Sequence, residues 1–392
     1  ELKPGGIKVN LVEILTIRDA GGVKSIRWAR RAEWLLRVVS GEQCGLLATG
    51  IRGTLRSLAL LYGLGLELNL ALYRWGWLQA TRLPCRVISV GNLTLGGTGK
   101  TSCVLWLARK LLRAGKRVAI LSRGPSRRGR ESVAVVSDGQ RISLNVAEAG
   151  DEPFLLAQML PEVPVLVGKH RTLTGRYAVE RLGSEVLPLD DGFQYWRLYK
   201  DWDIALVDAT APFGVGKLFP AGTLREPPAH LSRANMVWFT RSEGLSSAER
   251  VALEAEVRRW YPTGPVVWLA QRPLYVRPLG GEEQYPPTWL RGKRVGALSS
   301  IGNPWAFEQT VEGLGVAALE PVRFLDHHFY RPEEIAFITE QSQQAGMELI
   351  LTTEKDATRL SAEWPTALPI WVLGVEVEVL GGDTAALAKL WE

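Results

Sequence analysis

Cysteine, histidine and methionine are all scarce in this chain of 392 residues, with three Cys, four His and three Met. Cys44, Cys85 and Cys103 are far apart and odd in number. That excludes a disulfide framework and a Cys-X-X-Cys metal site, and it fits a reducing compartment. Two of the four histidines are adjacent, His327 and His328, so a His-rich metal centre is not expected. Residues 1–20 lack the basic, apolar, small-residue pattern of a signal peptide, so secretion is not expected either. No internal repeat and no low-complexity tract is present. The 46% hydrophobic and 22% charged residues are ordinary globular values, which excludes disordered, collagen-like and coiled-coil chains. The length suggests two or three domains at ~150 residues each.

The charge is unevenly placed. Residues 1–86 hold thirteen Lys and Arg against six Asp and Glu, a net of +7. The remainder holds 34 against 35, a net of −1. Nucleic-acid binding would call for basic residues on the body, so no nucleic-acid partner is expected. Arg27, Arg30, Arg31, Arg37, Arg52, Arg56, Arg74, Arg82 and Arg86 surround apolar segments. Residues 57–78, SLALLYGLGLELNLALYRWGWL, are long enough to cross a bilayer. Glu67 and Asn69 oppose that reading, since a charge at mid-bilayer costs about 3 kcal/mol or more. Leu58, Leu61, Leu68 and Leu72 fall on one helical face, and Tyr73, Trp75 and Trp77 make an aromatic end. This composition suits a helix lying on an anionic leaflet, an amphipathic helix packed on its own domain, or a true span. Residues 1–22 show no assignable role.

From Arg86 onward, short Val/Ile/Leu runs alternate with helical patterns, which predicts a mostly parallel α/β sheet with helices on both faces. Residues 280–293, GGEEQYPPTWLRGK, read as a linker. The expected organisation is an amphipathic membrane-associating segment (1–84), an α/β core (85–280) and a smaller C-terminal α/β domain (281–392).

The most specific motif is VGNLTLGGTGKTS at 90–102, a strand end, a Gly-rich turn and a helix start. Such a loop turns backbone N–H groups and a helix N-terminus toward phosphates. The cradle comprises Thr94, Leu95, Gly96, Gly97, Thr98, Gly99, Lys100 and Thr101. Thr94 stands where the consensus has its first Gly. Lys100 would reach the β- and γ-phosphates, and the Thr101 hydroxyl would ligate Mg²⁺. The acidic partner of such a metal belongs at another strand end. Candidates are Asp190 and Asp191 in VLPLDDGFQYW and Asp208 in IALVDA.

VGNLTLGGTGKT, GDEPFLLAQ (150–158), LDDGFQYWRL (189–198), LFPAGTLREPP (218–228), SSIGNPWAFE (299–308), FLDHHFY (324–330) and LTTEKDATRL (351–360) occur in one order. Together they resemble the tetraacyldisaccharide 4′-kinases, the lipid A 4′-kinases of bacteria with an outer membrane, over roughly residues 40–392. The resemblance implies a P-loop kinase-like domain, a smaller α/β domain and a front helix docked on the cytoplasmic face of the inner membrane. It implies ATP and Mg²⁺ as cofactors and a lipid-linked glucosamine disaccharide as acceptor at its 4′-hydroxyl. It implies Asp151 as catalytic base, His327 as its partner and Lys100 on the phosphates, with Thr101, Asp190 and Asp191 around the metal. It names no protein partner. Two departures stand out. SRGPSRRGR (122–130) has Pro125 where the family has an aromatic, so Arg127, Arg128 and Arg130 are candidates to serve the phosphates or an acidic lipid. Tyr195 stands where the family has His.

The residues allow these roles. A sugar hydroxyl needs a base during attack, and Asp151 can accept the proton, although a carboxylate near ~3.9 is weak. His327 can orient it or carry the proton onward. The two fall in different expected domains, so the pair would form at a cleft that closes on substrate. Asp151 also suits a helix N-cap, and the His pair suits capping of the next helix. Arg225-Glu226 fits phosphate binding or the pinning of a loop. Glu354-Lys355-Asp356 follows a strand end, where α/β ligand sites lie. Two other readings share the phosphate loop: an ATPase or GTPase switch that phosphorylates nothing, and a kinase or ligase acting on a soluble small molecule.

Overall fold

A computed structural model describes residues 41–392 except 126 and 130, together with 34 and 37–39. Residues 1–22, Arg27, Arg30, Arg31 and Arg130 therefore lie outside the described residues.

The apolar runs become one twelve-stranded sheet. Its strands are β1 (Arg86–Asn92), β2 (Ile120–Ser122), β3 (Ala134–Asp138), β4 (Pro164–Val167), β5 (Val186–Asp190), β6 (Trp202–Asp208), β7 (Met236–Thr240), β8 (Val266–Pro278), β9 (Arg294–Ser299), β10 (Ala318–Arg323), β11 (Leu349–Thr353) and β12 (Ile370–Gly382). Their order is β10-β9-β11-β12-β8-β7-β6-β1-β5-β2-β4-β3. Neighbours run parallel except β3 with β4 and β8 with β12. Alternate residues of one strand serve opposite faces, as the pleat requires. Ile204 and Leu206 join the core under the helix Lys100–Arg113, whereas Ala205 and Val207 join the core under Ser247–Arg258. The mostly parallel, doubly covered sheet is the fold that the alternating apolar runs predict.

Two lobes share this sheet. The smaller one centres on β9, β10 and β11 and has its own cores. Residues 280–293 do not hang between the lobes as a free connector. Tyr285 pairs with Val276, and Leu290 is fully buried in a smaller-lobe core. The lobes are joined by the antiparallel ribbon of β8 and β12. β12 leaves β11 and returns to the larger lobe, where Val377, Leu387 and Leu390 enter the core of Ile88, Val90 and Leu107.

Helix α1 (Leu46–Arg74) begins well before the apolar run at 57 and ends before Trp75, so Trp75 and Trp77 lie beyond it. One face packs on the larger lobe. There Gly63 permits close approach of Leu218, and the Tyr62 ring meets Phe219 edge-on. The opposite face exposes Leu47, Leu58, Leu60, Leu61, Leu64 and Leu68, while Leu72 is half-buried. By length and composition α1 is apolar enough to cross a membrane, yet Glu67 faces the protein and reaches His230.

Candidate active site

The phosphate loop grows out of β1. Asn92 is buried at the strand end, and its Nδ2 donates to Thr94 O at 2.8 Å and Thr94 Oγ1 at 3.1 Å. Thr94 forms an antiparallel bridge with Leu224, so the first consensus position is held by a ladder contact and needs no glycine. The left-handed backbone falls instead on Gly96 (φ 108°) and Gly99 (φ 80°), where glycine carries no steric cost. Gly99 caps helix α2 (Lys100–Arg113), so the positive end of the helix faces the cradle. Lys100 Nζ donates to Asn92 Oδ1 at 3.2 Å and stands 3.8 Å from Asp191 Oδ1.

Asp190 and Asp191 end β5 in different environments. Asp190 is buried, accepts from Ser122 Oγ at 3.0 Å, and leaves Oδ1 without a hydrogen-bond partner. Burial, then the neighbouring Glu152 and Asp191 carboxylates, push its pKa up to about 7 against the pull of Lys100. Asp191 takes the left-handed region (φ 52°) and accepts from Arg225 Nη1 at 2.6 Å. Burial raises its pKa, but Lys100 and Arg225 prevail and hold it at about 2. An orphaned buried carboxylate oxygen beside an ionised one fits a divalent cation, which relieves both desolvation and mutual repulsion. Among the described residues no group of three or more His, Cys, Asp or Glu could hold a metal ion.

The second cluster joins the lobes. Asp151 opens the helix Asp151–Met159 of the larger lobe, but Gly150 is its N-cap and no side chain caps it. Asp151 instead faces the cleft, buried, with its oxygens 3.0 Å and 2.8 Å from His327 Nδ1. Lys355 Nζ lies 3.8 Å and Arg359 Nη1 3.5 Å from Asp151 Oδ2. Burial raises the Asp151 pKa, but the His327 bond and Lys355 outweigh it, so the carboxyl sits below its usual range. The bond to Asp151 raises His327 against burial and the Lys355 charge. Lys355 also binds Glu152 at 3.0 Å and Asp326 at 3.4 Å, which raises its pKa despite burial. His327 has φ 62°, which turns it away from its neighbour; His328 Nε2 pairs with Glu334 at 3.0 Å in the next helix. The adjacent histidines thus divide two tasks.

Lys100 and Asp191 of the first cluster and Glu152, His327 and Lys355 of the second line one cavity of about 340 Å³, which the buried Asp190 and Asp151 do not line themselves. It runs from the cradle past Asp191 to Asp326, His327 and Lys355, with Asn303, Ala306 and Phe307 on the smaller-lobe wall. The lobes touch directly here: a Cβ on Gly302 would stand 2.3 Å from Gly97 N. Arg241, which the motifs do not single out, binds Asp208 and the Gly97 carbonyl. Asp208 also holds Thr210, so it is engaged in the loop and does not face the Asp190 pair. Arg171 was likewise missed; its guanidinium stacks 4.6 Å from the Tyr195 ring and its charge reaches Asp191. A basic residue at the first helical position opposes the dipole, and that was the available signal. Of the arginines near Pro125, Arg127 donates to the Glu131 carbonyl and neither it nor Arg128 lines the cavity, whereas Pro125 does.

The family model for Tetraacyldisaccharide-1-P 4'-kinase (LpxK) matches residues 51–392. A tetraacyldisaccharide 4'-kinase of Syntrophus aciditrophicus is 41% identical over 327 residues, covering 82% of this chain and 87% of its own. One from Geobacter sulfurreducens is 37% identical over 344 residues, covering 88% and 94%. The crystal structure of LpxK from Aquifex aeolicus in complex with ATP superposes with a TM-score of 0.68 at 32% identity, covering 87% of this chain and 98% of that one. A match over most of the chain, relatives above one-third identity and a common fold lead to one statement: this chain belongs to the tetraacyldisaccharide 4′-kinase family.

Proposed function

We propose that the chain transfers the γ-phosphate of ATP to the 4′-hydroxyl of a tetraacyl glucosamine disaccharide 1-phosphate, forming the bisphosphorylated lipid A precursor lipid IVA. Family membership and the names of its relatives support the reaction. The observation that carries it is His327, bonded to the buried Asp151 and lining the same cavity as the phosphate cradle.

The residues divide the work. Residues Thr94–Thr101 hold the triphosphate, with Lys100 on its outer phosphates. Asp190, Asp191 and the Thr101 hydroxyl would hold Mg²⁺, which supplies charge neutralisation on the transferring group. Asp151 accepts the 4′-hydroxyl proton as the sugar oxygen bonds to phosphorus and the bond to the ADP oxygen breaks. His327 keeps Asp151 ionised and aimed. Its lowered pKa makes Asp151 a modest base, which suffices because the transition state is loose and the proton leaves late. Lobe contact around the cavity excludes water and so limits ATP hydrolysis. The proposed division is a membrane-associating segment (1–84), a kinase core (85–280) and a smaller C-terminal domain (281–392) whose last residues, Val377, Leu387 and Leu390 among them, pack in the core of the larger lobe.

Helix α1 brings the site to the leaflet. Its exposed leucines and Arg52, Arg56 and Arg74 suit an interfacial helix on an anionic surface. Peripheral attachment to the cytoplasmic face of the inner membrane follows, where acceptor and ATP meet. The test is incubation of the full chain with γ-labelled ATP, Mg²⁺ and the tetraacyl disaccharide 1-phosphate in mixed micelles. Labelled lipid is expected; ATP turnover without labelled lipid would favour a switch.

A further inference from the structure

Glu67 is the charge that counts against burying α1 in a bilayer, and the fold gives it a partner. Its Oε1 lies 2.8 Å from His230 Nε2, while His230 Nδ1 lies 2.7 Å from Glu226 Oε2. With a carboxylate on each ring nitrogen, both bonds form together when the ring carries two protons and a positive charge. Burial lowers the His230 pKa, but its bonds to Glu226 and Glu67 outweigh burial and the Arg233 charge and raise it. Glu226 is fully buried and also accepts from Arg233 Nη2 at 2.7 Å. Arg74 stands 3.7 Å from the other Glu67 oxygen. Glu67 itself is half-exposed, so its pairing with His230 is not forced by burial of the helix.

The segment beside this ring leads to the phosphate cradle. Leu95 N donates to Thr223 O at 2.6 Å, and Arg225 N donates to Leu93 O at 2.6 Å. The Arg225 side chain reaches Asp191. From the other side, the Tyr62 hydroxyl of α1 donates to Arg225 O at 2.8 Å. Residues 223–226 are thus bonded along one edge to the cradle and along the other to the helix that presents leucines outward.

We propose that the Glu67–His230–Glu226 bridge is a positioning device for phosphoryl transfer. It clamps the lipid-facing helix to residues 223–226, so a helix seated on lipid holds Arg225 and Asp191 in register with the cradle. Glu67 and His230 act through Arg225. The proposal rests on the kinase reading above. It makes the lipid surface part of the assembly of the site as well as the place where the acceptor waits.

The test uses the full chain and three variants: E67Q at the half-exposed end, H230F, which removes both donors, and H230K, which keeps a cationic donor between the carboxylates. Hydrogen exchange without nucleotide or lipid requires no assumption about the reaction. E67Q and H230F are expected to speed exchange in residues 46–74 and in 223–226 together, with H230K near the unaltered protein. In mixed micelles, E67Q and H230F are expected to lower kcat on the disaccharide about tenfold while KM for ATP changes less than twofold. H230K is expected to restore most of kcat, which a merely structural loss would not predict. Exchange confined to 46–74, or kcat within twofold of the unaltered protein in E67Q, overturns the bridge. A proportional rise in the KM for ATP also overturns it, because the bridge would then only support the nucleotide fold. If the unaltered protein forms no labelled lipid, the kinase reading fails, and the exchange result still decides the bridge.

Discussion

The two walls of the cleft are built on different plans. The larger-lobe wall is mostly main chain: a strand end, glycines with positive φ and a helix N-terminus, all contiguous in residues 90–102. The smaller-lobe wall is assembled from separate segments: the Gly302 backbone and Asn303, the Asp326 and His327 side chains, and Lys355 in the short helix Glu354–Ala357. The first wall exists once β1 and α2 have formed. The second acts only when the lobes are together, since His327 finds Asp151 across the cleft. Binding and chemistry should therefore separate under mutation.

The largest effects are expected at Lys100, at the proposed base Asp151 and at its partner His327. Lys100→Ala is expected to lower transfer by ~10³-fold, with loss of the ammonium bonded to Asn92 at the cradle. Asp151→Asn, which keeps shape and removes the base, is expected to lower kcat by ~10²–10³-fold with nucleotide affinity, read by calorimetry, retained. A near-normal kcat would end the base assignment. His327→Ala is expected to cost ~10²-fold in kcat with a smaller change in KM; the reverse split would make it a binding residue and blur the contrast between the walls.

Smaller effects sharpen the comparison. Gly302→Ala places a Cβ against Gly97 N and is expected to hold the lobes apart, lowering kcat about tenfold while Mg–ATP still binds. Lobe contact should also depend on pH. The Asp151 pKa is lowered, so its contribution is present above the ordinary carboxylate value and is lost as pH falls through the lowered one. The His327 pKa is raised above 6.5, so its contribution is present below 6.5 and is lost as pH rises through the raised value. Protection of the amides along 324–330, taken relative to the intrinsic exchange rate at each pH, should fall on the alkaline side, and His327→Ala should flatten that fall. The smallest change concerns α1. Leu60→Ser with Leu64→Ser is expected to weaken binding to anionic vesicles about tenfold, from the apolar area lost, with little effect on ATP affinity.

Local features were the most legible in the sequence. The cradle, α2 and the acidic pair each lie in one short stretch whose spacing carries the geometry, so their places follow from residues 90–102 and 189–192. The meeting of Asp151 with His327 is not a local property; family resemblance suggested it and composition did not. Arg241 and Arg171 went unnoticed because a lone arginine at a strand or helix end has no pattern until its partners, Gly97 O and Asp191, are in place. The strand β3 (Ala134–Asp138) is likewise hard to read locally: it lies at the sheet edge and pairs antiparallel to β4 across a register shift. Residues 280–293 look like a linker by composition, yet Leu290 anchors them in a core, because Gly and Pro report turns and say nothing of what a turn encloses.

The return of β12 has a consequence for how the chain can be cut. The smaller lobe leaves the larger one through β8 and comes home through β12, whose far end, with Leu387 and Leu390, closes a core that begins at Ile88. In effect it is a cassette inserted between two strands of one open sheet, fastened at both margins. Trimming the polypeptide from residue 392 backward would strip a plank from the phosphate-binding half before it reached the other. To isolate that half, one would splice out the interior and rejoin the ribbon, leaving the tail in place.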